Sequence, residues 1–137
     1  MTSEPTTVAS RRCFLKALLG LAGAGVPVIG KAAPWEILVQ RSPLAGFQFH
    51  EGERLWPRLR PGQPVKLVRE PGNRFDPSAV RVDWRGEKLG YLPRRENAAV
   101  SQMMDRGERL TGRIAHLGEG PWPWERVGLD VYLEVSP

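Results

Sequence analysis

Apolar and polar residues alternate in short runs along most of the chain, which is the period-two pattern of β-strands that bury one face. The clearest run is 79–84, where the apolar side chains that share a face are Val80, Val82 and Trp84. Similar runs predict strands over residues 36–41, 45–50, 64–69, 87–92, 109–117 and 127–135. The Arg85-Gly86 pair between two of these runs has the length of a tight hairpin turn.

Two segments have helical spacing instead of alternation. Residues 51–59 carry apolar side chains at helical spacing and end before a Pro-Gly pair, which predicts a short helical turn. Pro93 suits the first turn of a helix and Gly107 suits its C-terminal cap, so a helix is predicted over 94–106. The apolar stripe of this helix, which we expect in the core, consists of Val100, Met103 and Met104.

Turn-rich segments separate the predicted elements at close intervals, notably 70–77 and 118–125. Six or so short strands with one clear helix predict a mainly β domain, a small closed or half-closed β-barrel of about six strands with one or two short helices. The late loop contains Trp122 and Trp124. We expect these rings to cover the open end of the barrel, the alternative being that they extend a binding surface.

Residues 1–33 have the three-part layout of an export signal: a polar start, a basic string and a weakly apolar stretch ending in small residues. The string SRRCFLK resembles the bacterial twin-arginine motif through Arg11, Arg12, Phe14, Leu15 and Lys16. The sequence therefore predicts two parts, an export signal over 1–33 and a domain over 34–137. The expected partner of the signal is the twin-arginine translocation machinery, and membrane contact is expected through the signal only. The domain is then periplasmic or exported if the signal functions, and cytoplasmic otherwise; an uncleaved anchor is the alternative.

The front segment also changes the charge and the cysteine content. The chain of 137 residues has a formal net charge of +5, which falls to +2 without Arg11, Arg12, Lys16, Lys31 and Glu4. Part of the basic character therefore belongs to targeting and does not argue for a nucleic-acid partner. The one cysteine, Cys13, lies in the same segment, so the domain has no thiol for a disulfide, a metal site or a nucleophile.

The motifs of common enzymes are missing from the sequence. His50 and His116 are the only histidines, and neither belongs to an HxH or HExxH pattern that would bind a metal. A P-loop with its following Ser or Thr and a GxSxG nucleophile motif are absent too. We therefore predict a protein that is not an enzyme and that needs no metal or cofactor.

The most informative stretch is 66–99, which places Asn73, Phe75 and Asp76 in a turn between two strands. Tyr91 and Arg94 follow at the start of the predicted helix. Strand ends and their loops gather at one rim of a barrel, so these side chains are expected to be neighbours. An aromatic ring beside a cation and a polar acceptor suits single-stranded nucleic acid, whose bases stack on rings while cations meet phosphate.

The strings REPGNRFDPSAVRV, GYLPR and LAGFQFH together resemble the HIRAN domain family over about residues 40–135. These are small barrels related to the OB fold, found fused to helicases and as free-standing bacterial proteins. The resemblance implies a non-catalytic module that binds the 3′ end of single-stranded DNA. It implies that Asp76 contacts the terminal hydroxyl, that Phe75 and Phe49 contact the terminal bases, and that Tyr91 and Arg94 face the backbone phosphates.

Two positions depart from the family pattern. Gln48 stands where the DNA-binding members carry Arg, which removes one phosphate contact, and Tyr91 stands where they carry His. The predicted nucleic-acid-binding set is Gln48, Phe49, Asn73, Phe75, Asp76, Tyr91 and Arg94.

Each assignment has a structural alternative. Asp76 is equally suited to cap its own turn. Phe49 and Phe75 alternate with polar residues, so both can belong to the core, and for Phe49 the core is the preferred interpretation. For the protein as a whole, the alternative is an exported envelope protein that uses the same barrel to bind a peptide or a protein partner.

Overall fold

A computed structural model describes residues 34–136 of the chain. The predicted export signal over 1–33, with Arg11, Arg12, Phe14, Leu15 and Lys16, lies outside the described residues. Among residues 34–136, no helix is long and apolar enough to cross a membrane.

Six strands dominate the described part of the chain, as the alternation predicts. They are β1 (Trp35–Pro43), β2 (Pro64–Arg69), β3 (Val80–Trp84), β4 (Glu87–Tyr91), β5 (Leu110–Leu117) and β6 (Val127–Val135). The two short helices are α1 (Gly52–Leu55) and α2 (Ala98–Asp105), and 3-10 turns occur at Phe47–Phe49, Trp56–Arg58 and Pro123–Glu125. The prediction of a mainly β, OB-like fold with one or two short helices is confirmed.

All strand pairs are antiparallel, and the sheet order is β1-β6-β5-β2-β3-β4. The two edges of this sheet are joined by the chain just after β1. There, the N–H of Ala45 donates to the carbonyl of Tyr91 at 2.8 Å, and the N–H of Tyr91 donates back at 2.9 Å. This single bridge closes the sheet into a barrel.

The barrel interior is filled by the inward faces of the strands. Val80, Val82 and Trp84 are all buried, as the alternation predicts. The hairpin between β3 and β4 is the expected tight turn, with φ of 47° at Arg85 and 80° at Gly86. Two successive positive φ values are what a two-residue type I′ turn requires, and they match the right-handed twist of the strands.

The predicted strand over 45–50 is wrong beyond its first residue. Gly46 has a φ of 75°, and the chain then forms the Phe47–Phe49 turn. A 3-10 turn has three residues per turn, so side chains two apart point in different directions instead of sharing a face. Phe47 is accordingly fully buried against Trp56, with 5.7 Å between ring centroids, while Phe49 points outward.

The predicted helix over 94–106 starts too early. The helix begins at Ala98, because the segment before it is tied to β1: Gln40 donates to the backbone carbonyl of Glu96 at 2.9 Å and Ser42 donates to its carboxylate at 2.9 Å. Its C-terminal end is as predicted, with Gly107 at a φ of 86°. In its apolar stripe, Val100 is buried and both methionines are half-buried.

Closure of the barrel depends on the absence of a side chain at Gly90. A Cβ at this position would lie 2.3 Å from the carbonyl oxygen of Ala45, which is the acceptor in the closing bridge. We expect Gly90→Ala to lower the free energy of unfolding by about 1–3 kcal/mol, the usual cost of overpacking. Urea denaturation of the full chain measures this.

The matched control is Gly72→Ala in the β2–β3 loop. An added Cβ there meets no heavy atom within 4 Å. Gly72→Ala should leave the free energy of unfolding unchanged or raise it slightly, because alanine has less conformational freedom in the unfolded chain. Equal unfolding midpoints for the two variants would contradict the closure argument.

Candidate nucleic-acid interface

A surface cavity of about 480 Å³ lies beside the closing bridge. Three segments form its wall: the turn after β1, the β2–β3 loop and the end of β4 with the residues that follow it. The structure brings together six of the seven predicted binding residues in this wall: Phe49, Asn73, Phe75, Asp76, Tyr91 and Arg94. The seventh, Gln48, is exposed and does not line the cavity.

The β2–β3 loop is held in shape by Asn73. Its side-chain oxygen accepts the N–H of Phe75 at 2.9 Å and the N–H of Asp76 at 3.2 Å, and its amide donates to Glu70 at 3.2 Å. This is an Asx-type turn, in which a side chain takes the place of a backbone partner. The polar atoms of Asn73 are therefore used by the loop itself, and the turn presents the two residues that follow.

Asp76 is an ionised carboxylate at the cavity wall. One of its oxygens accepts the N–H of Ser78 at 2.9 Å, and the other accepts the amide of Asn97 at 2.7 Å. Burial alone would raise its pKa, but these two hydrogen bonds and the charges of Arg94 and Arg69 outweigh burial and lower the pKa below its ordinary value. The interpretation of Asp76 as a turn cap is confirmed, yet each carboxylate oxygen has a further lone pair with which to accept a ligand hydroxyl.

Phe49 and Phe75 are exposed at the rim of the cavity. Their relative exposures are 78% and 80%, so the interpretation that either belongs to the core is wrong. Phe47 fills that place in the core instead. Two large rings left in water beside a cavity offer flat surfaces to a ligand, and their own fold does not need them for packing.

Tyr91 contributes its ring to the cavity more than its hydroxyl. The phenol donates to Glu70 at 2.7 Å, and the same carboxylate accepts from Arg81 at 2.9 Å. Burial alone would raise the pKa of Glu70, but its bonds to Tyr91, Asn73 and Arg81 lower it. Because the hydroxyl already has a charged acceptor, it is not a free donor for a phosphate.

Two cavity residues, His50 and Lys88, are missing from the predicted set. Strict alternation along β4 would put Lys88 and Tyr91, three residues apart, on opposite faces. However, Asp83 pairs with Lys88 while Val82 pairs with Gly90, so the register shifts between them and β4 has one extra residue. A bulge of this kind resets the alternation, and both side chains reach the cavity.

Lys88 and Arg94 are the cations of the cavity wall. Within the described part of the chain, neither makes a salt bridge. Among residues 34–136, no group of three or more His, Cys, Asp or Glu side chains could hold a metal ion. The cavity thus combines exposed rings, one carboxylate and two cations that make no salt bridge with other residues of 34–136.

The late tryptophans lie apart from this wall. Trp122 and Trp124 stack on each other, with 5.1 Å between centroids and 16° between ring planes, and each is more than half exposed. Their turn, Pro123–Glu125, lies against the Phe47–Phe49 turn. Neither ring lines the cavity, and the expectation that they cover the open end of the barrel stays a prediction.

Known proteins resemble this chain in sequence and in fold. A family profile described as the HIRAN domain matches residues 37–136. A "Fanconi-associated nuclease 1 homolog" of Oryza sativa subsp. japonica is 34% identical over 67 residues, which are 46% of this chain but only 6% of that protein. The chain thus spans a small fraction of this relative's length.

Two solved structures share the fold. A structural-genomics target from Lactobacillus plantarum superimposes with a TM-score of 0.64 at 27% identity, covering 72% of this chain and 95% of that one. The HIRAN domain of human HLTF superimposes with a TM-score of 0.56 at 20% identity, covering 72% and 78%. With the barrel and its rim described above, the profile match over nearly the whole domain leads to one conclusion: the chain belongs to the HIRAN domain family.

Proposed function

We propose that this domain is a non-catalytic module that binds nucleic acid, and that its cavity takes the 3′ end of single-stranded DNA. The observation that supports this most directly is the composition of one wall. Two exposed phenylalanines, the Asp76 carboxylate and Arg94 line one cavity of about 480 Å³. A cavity of this size accommodates a small ligand such as the end of a nucleic-acid strand.

The rings at the rim suit unpaired bases. A base in a duplex has both faces covered by its neighbours, whereas the last bases of a single strand are free to stack on a side chain. Phe49 and Phe75 come from different segments, so each can take its own base face. Stacking of this kind contributes about 1–3 kcal/mol per base and depends little on sequence.

Asp76 provides a basis for recognising the terminus itself. A free 3′ hydroxyl donates a hydrogen bond to a carboxylate, whereas a 3′ phosphate brings negative charge against it. The lowered pKa keeps Asp76 ionised at neutral pH, so this discrimination does not require any change in protonation. Arg94, whose charge already acts on Asp76, lies in the same wall and is available to a backbone phosphate.

Family membership supports a nucleic-acid ligand, and the human domain of the same name has the same fold. The rice relative is named as a nuclease homolog, but nuclease activity is not part of this proposal, because the match covers only 6% of that protein. A peptide or protein ligand finds no support among these relatives. If the predicted signal over 1–33 functions, the DNA in question lies outside the cytoplasm.

The Asp76→Asn variant tests recognition of the terminus. We expect the full-length protein to bind oligothymidine with a free 3′ hydroxyl more tightly than the same strand with a 3′ phosphate. Asp76→Asn should weaken binding to the free end by about 10- to 150-fold, the equivalent of about 1.5–3 kcal/mol for a hydrogen bond to a charged group. Fluorescence anisotropy with both strands measures this, and a thermal melt checks that the loop still folds.

The control is Glu119→Gln, which removes an exposed carboxylate outside the cavity and should leave both affinities unchanged. Equal affinity of the unmodified protein for the two strands would rule out recognition of the 3′ end. Failure to bind either strand at low salt would rule out single-stranded DNA as the ligand.

The Phe75→Ala variant tests stacking. Removal of this ring should weaken binding by about 5- to 150-fold, the range that corresponds to the loss of one stacked base. The thermal midpoint should change little, because the ring is 80% exposed. Phe75→Tyr should restore most of the affinity.

Trp35→Ala is the matched control, since this ring is 74% exposed on β1 and lies outside the cavity wall. An equal loss of affinity in both alanine variants would show that the effect is a general one of exposed rings, and would contradict a role for Phe75 in the cavity.

A further inference from the structure

One part of the cavity is not accounted for by the residues assigned so far. His50 and Lys88 both lie against the Tyr91 ring: the imidazole centroid is 5.9 Å from the phenol centroid, and the Lys88 ammonium nitrogen is 4.5 Å from it. Burial and then the positive charge of Lys88 lower the pKa of His50. The carboxylate of Glu51 acts on His50 in the opposite direction but does not outweigh them.

Among residues 34–136, Lys88 makes no salt bridge, although several carboxylates occur near it in the sequence or in the sheet. Glu51 and Glu87 both bind Arg54. Asp83, which is opposite Lys88 in the ladder, and Glu70 both bind Arg81. Each of these carboxylates is thus paired with an arginine, and none of them makes a salt bridge with Lys88 in the cavity wall.

We propose that Lys88, with His50 beside it, forms a phosphate subsite that binds a backbone phosphodiester of the DNA strand. This inference rests on the proposed function and adds a contact to it. Gln48 is exposed and outside the cavity wall, so it is not part of this subsite. The positive charge is supplied by β4 instead of by the turn after β1.

The chemistry of the subsite fits a phosphate. A lysine ammonium group is a compact point charge with three donors, which suits a phosphate oxygen approached from any side. The Tyr91 hydroxyl is held by Glu70 and cannot take this role, whereas its ring lies under the ammonium group of Lys88. A neutral imidazole can donate one N–H to the same group.

The test is the salt dependence of binding, which a merely structural role does not change. Lys88→Gln in the full chain should weaken binding to free-ended oligothymidine. It should also reduce the slope of log affinity against log salt by about 0.7, the value for one phosphate contact on a single strand, between about 50 and about 200 mM NaCl. Lys88→Arg should restore the slope.

The matched control is Lys66→Gln. Lys66 is the other lysine among residues 34–136, and it is exposed on β2 outside the cavity. Its affinity and slope should equal those of the unmodified protein. The backbone carbonyl of Lys88 accepts the N–H of Glu51 at 3.2 Å whatever its side chain, so Lys88→Gln is expected to keep the local fold.

The outcomes separate this inference from the proposed function. Loss of affinity in Lys88→Gln with an unchanged slope would show that Lys88 only supports the Tyr91 ring, and would overturn the subsite. If Lys88→Gln has the same affinity and salt slope as Lys66→Gln while the unmodified protein still prefers the free 3′ end, the subsite is overturned and the proposed function is not. Absence of DNA binding by the unmodified protein would overturn both.

Discussion

The backbone bridge between Ala45 and Tyr91 is the interaction on which the rest of the structure depends. Its two hydrogen bonds join the chain just after β1 to β4. The strands β1 and β4 are the two edges of the sheet. Closure places the Phe47–Phe49 turn next to the end of β4. The side chains that line the cavity come from these two segments, from the residues just before or just after them, and from the β2–β3 loop. Gly90 is required because only hydrogen leaves room for the carbonyl of Ala45. The cavity is therefore a product of barrel closure.

Most of the fold could be predicted from the sequence because the determining signals are local. Alternation identified every strand that forms, and the Arg85-Gly86 pair identified the hairpin. The two errors have different causes, one distant and one local. The late start of α2 depends on bonds from β1 to Glu96, which lies 54 and 56 residues away from its two partners. Residues 45–50 alternate as a strand would, but a left-handed glycine turns them away from the sheet.

Which residues line the candidate site could largely be predicted, but what each side chain does there could not. Six of the residues suggested by the family resemblance converge in one wall. The hydroxyl of Tyr91 and the polar atoms of Asn73 are taken up by the protein, which no spacing rule reveals. Lys88 was missed because a register shift in β4 is invisible to alternation. Side-chain partners and bulges depend on three-dimensional neighbours, and a single sequence does not contain them.

The hydrogen bonds within the β2–β3 loop have a consequence for the association and dissociation rates of a ligand. The side chains of Asn73 and Asp76 fix its backbone before any ligand arrives, because their oxygens accept backbone N–H groups of the same loop. A preformed surface loses little conformational entropy when it is occupied. Under the proposed function, encounter with a strand is then governed by diffusion and charge, at rates that are similar for different strand ends. The proposed selection among these ends is expected in how long each one stays bound.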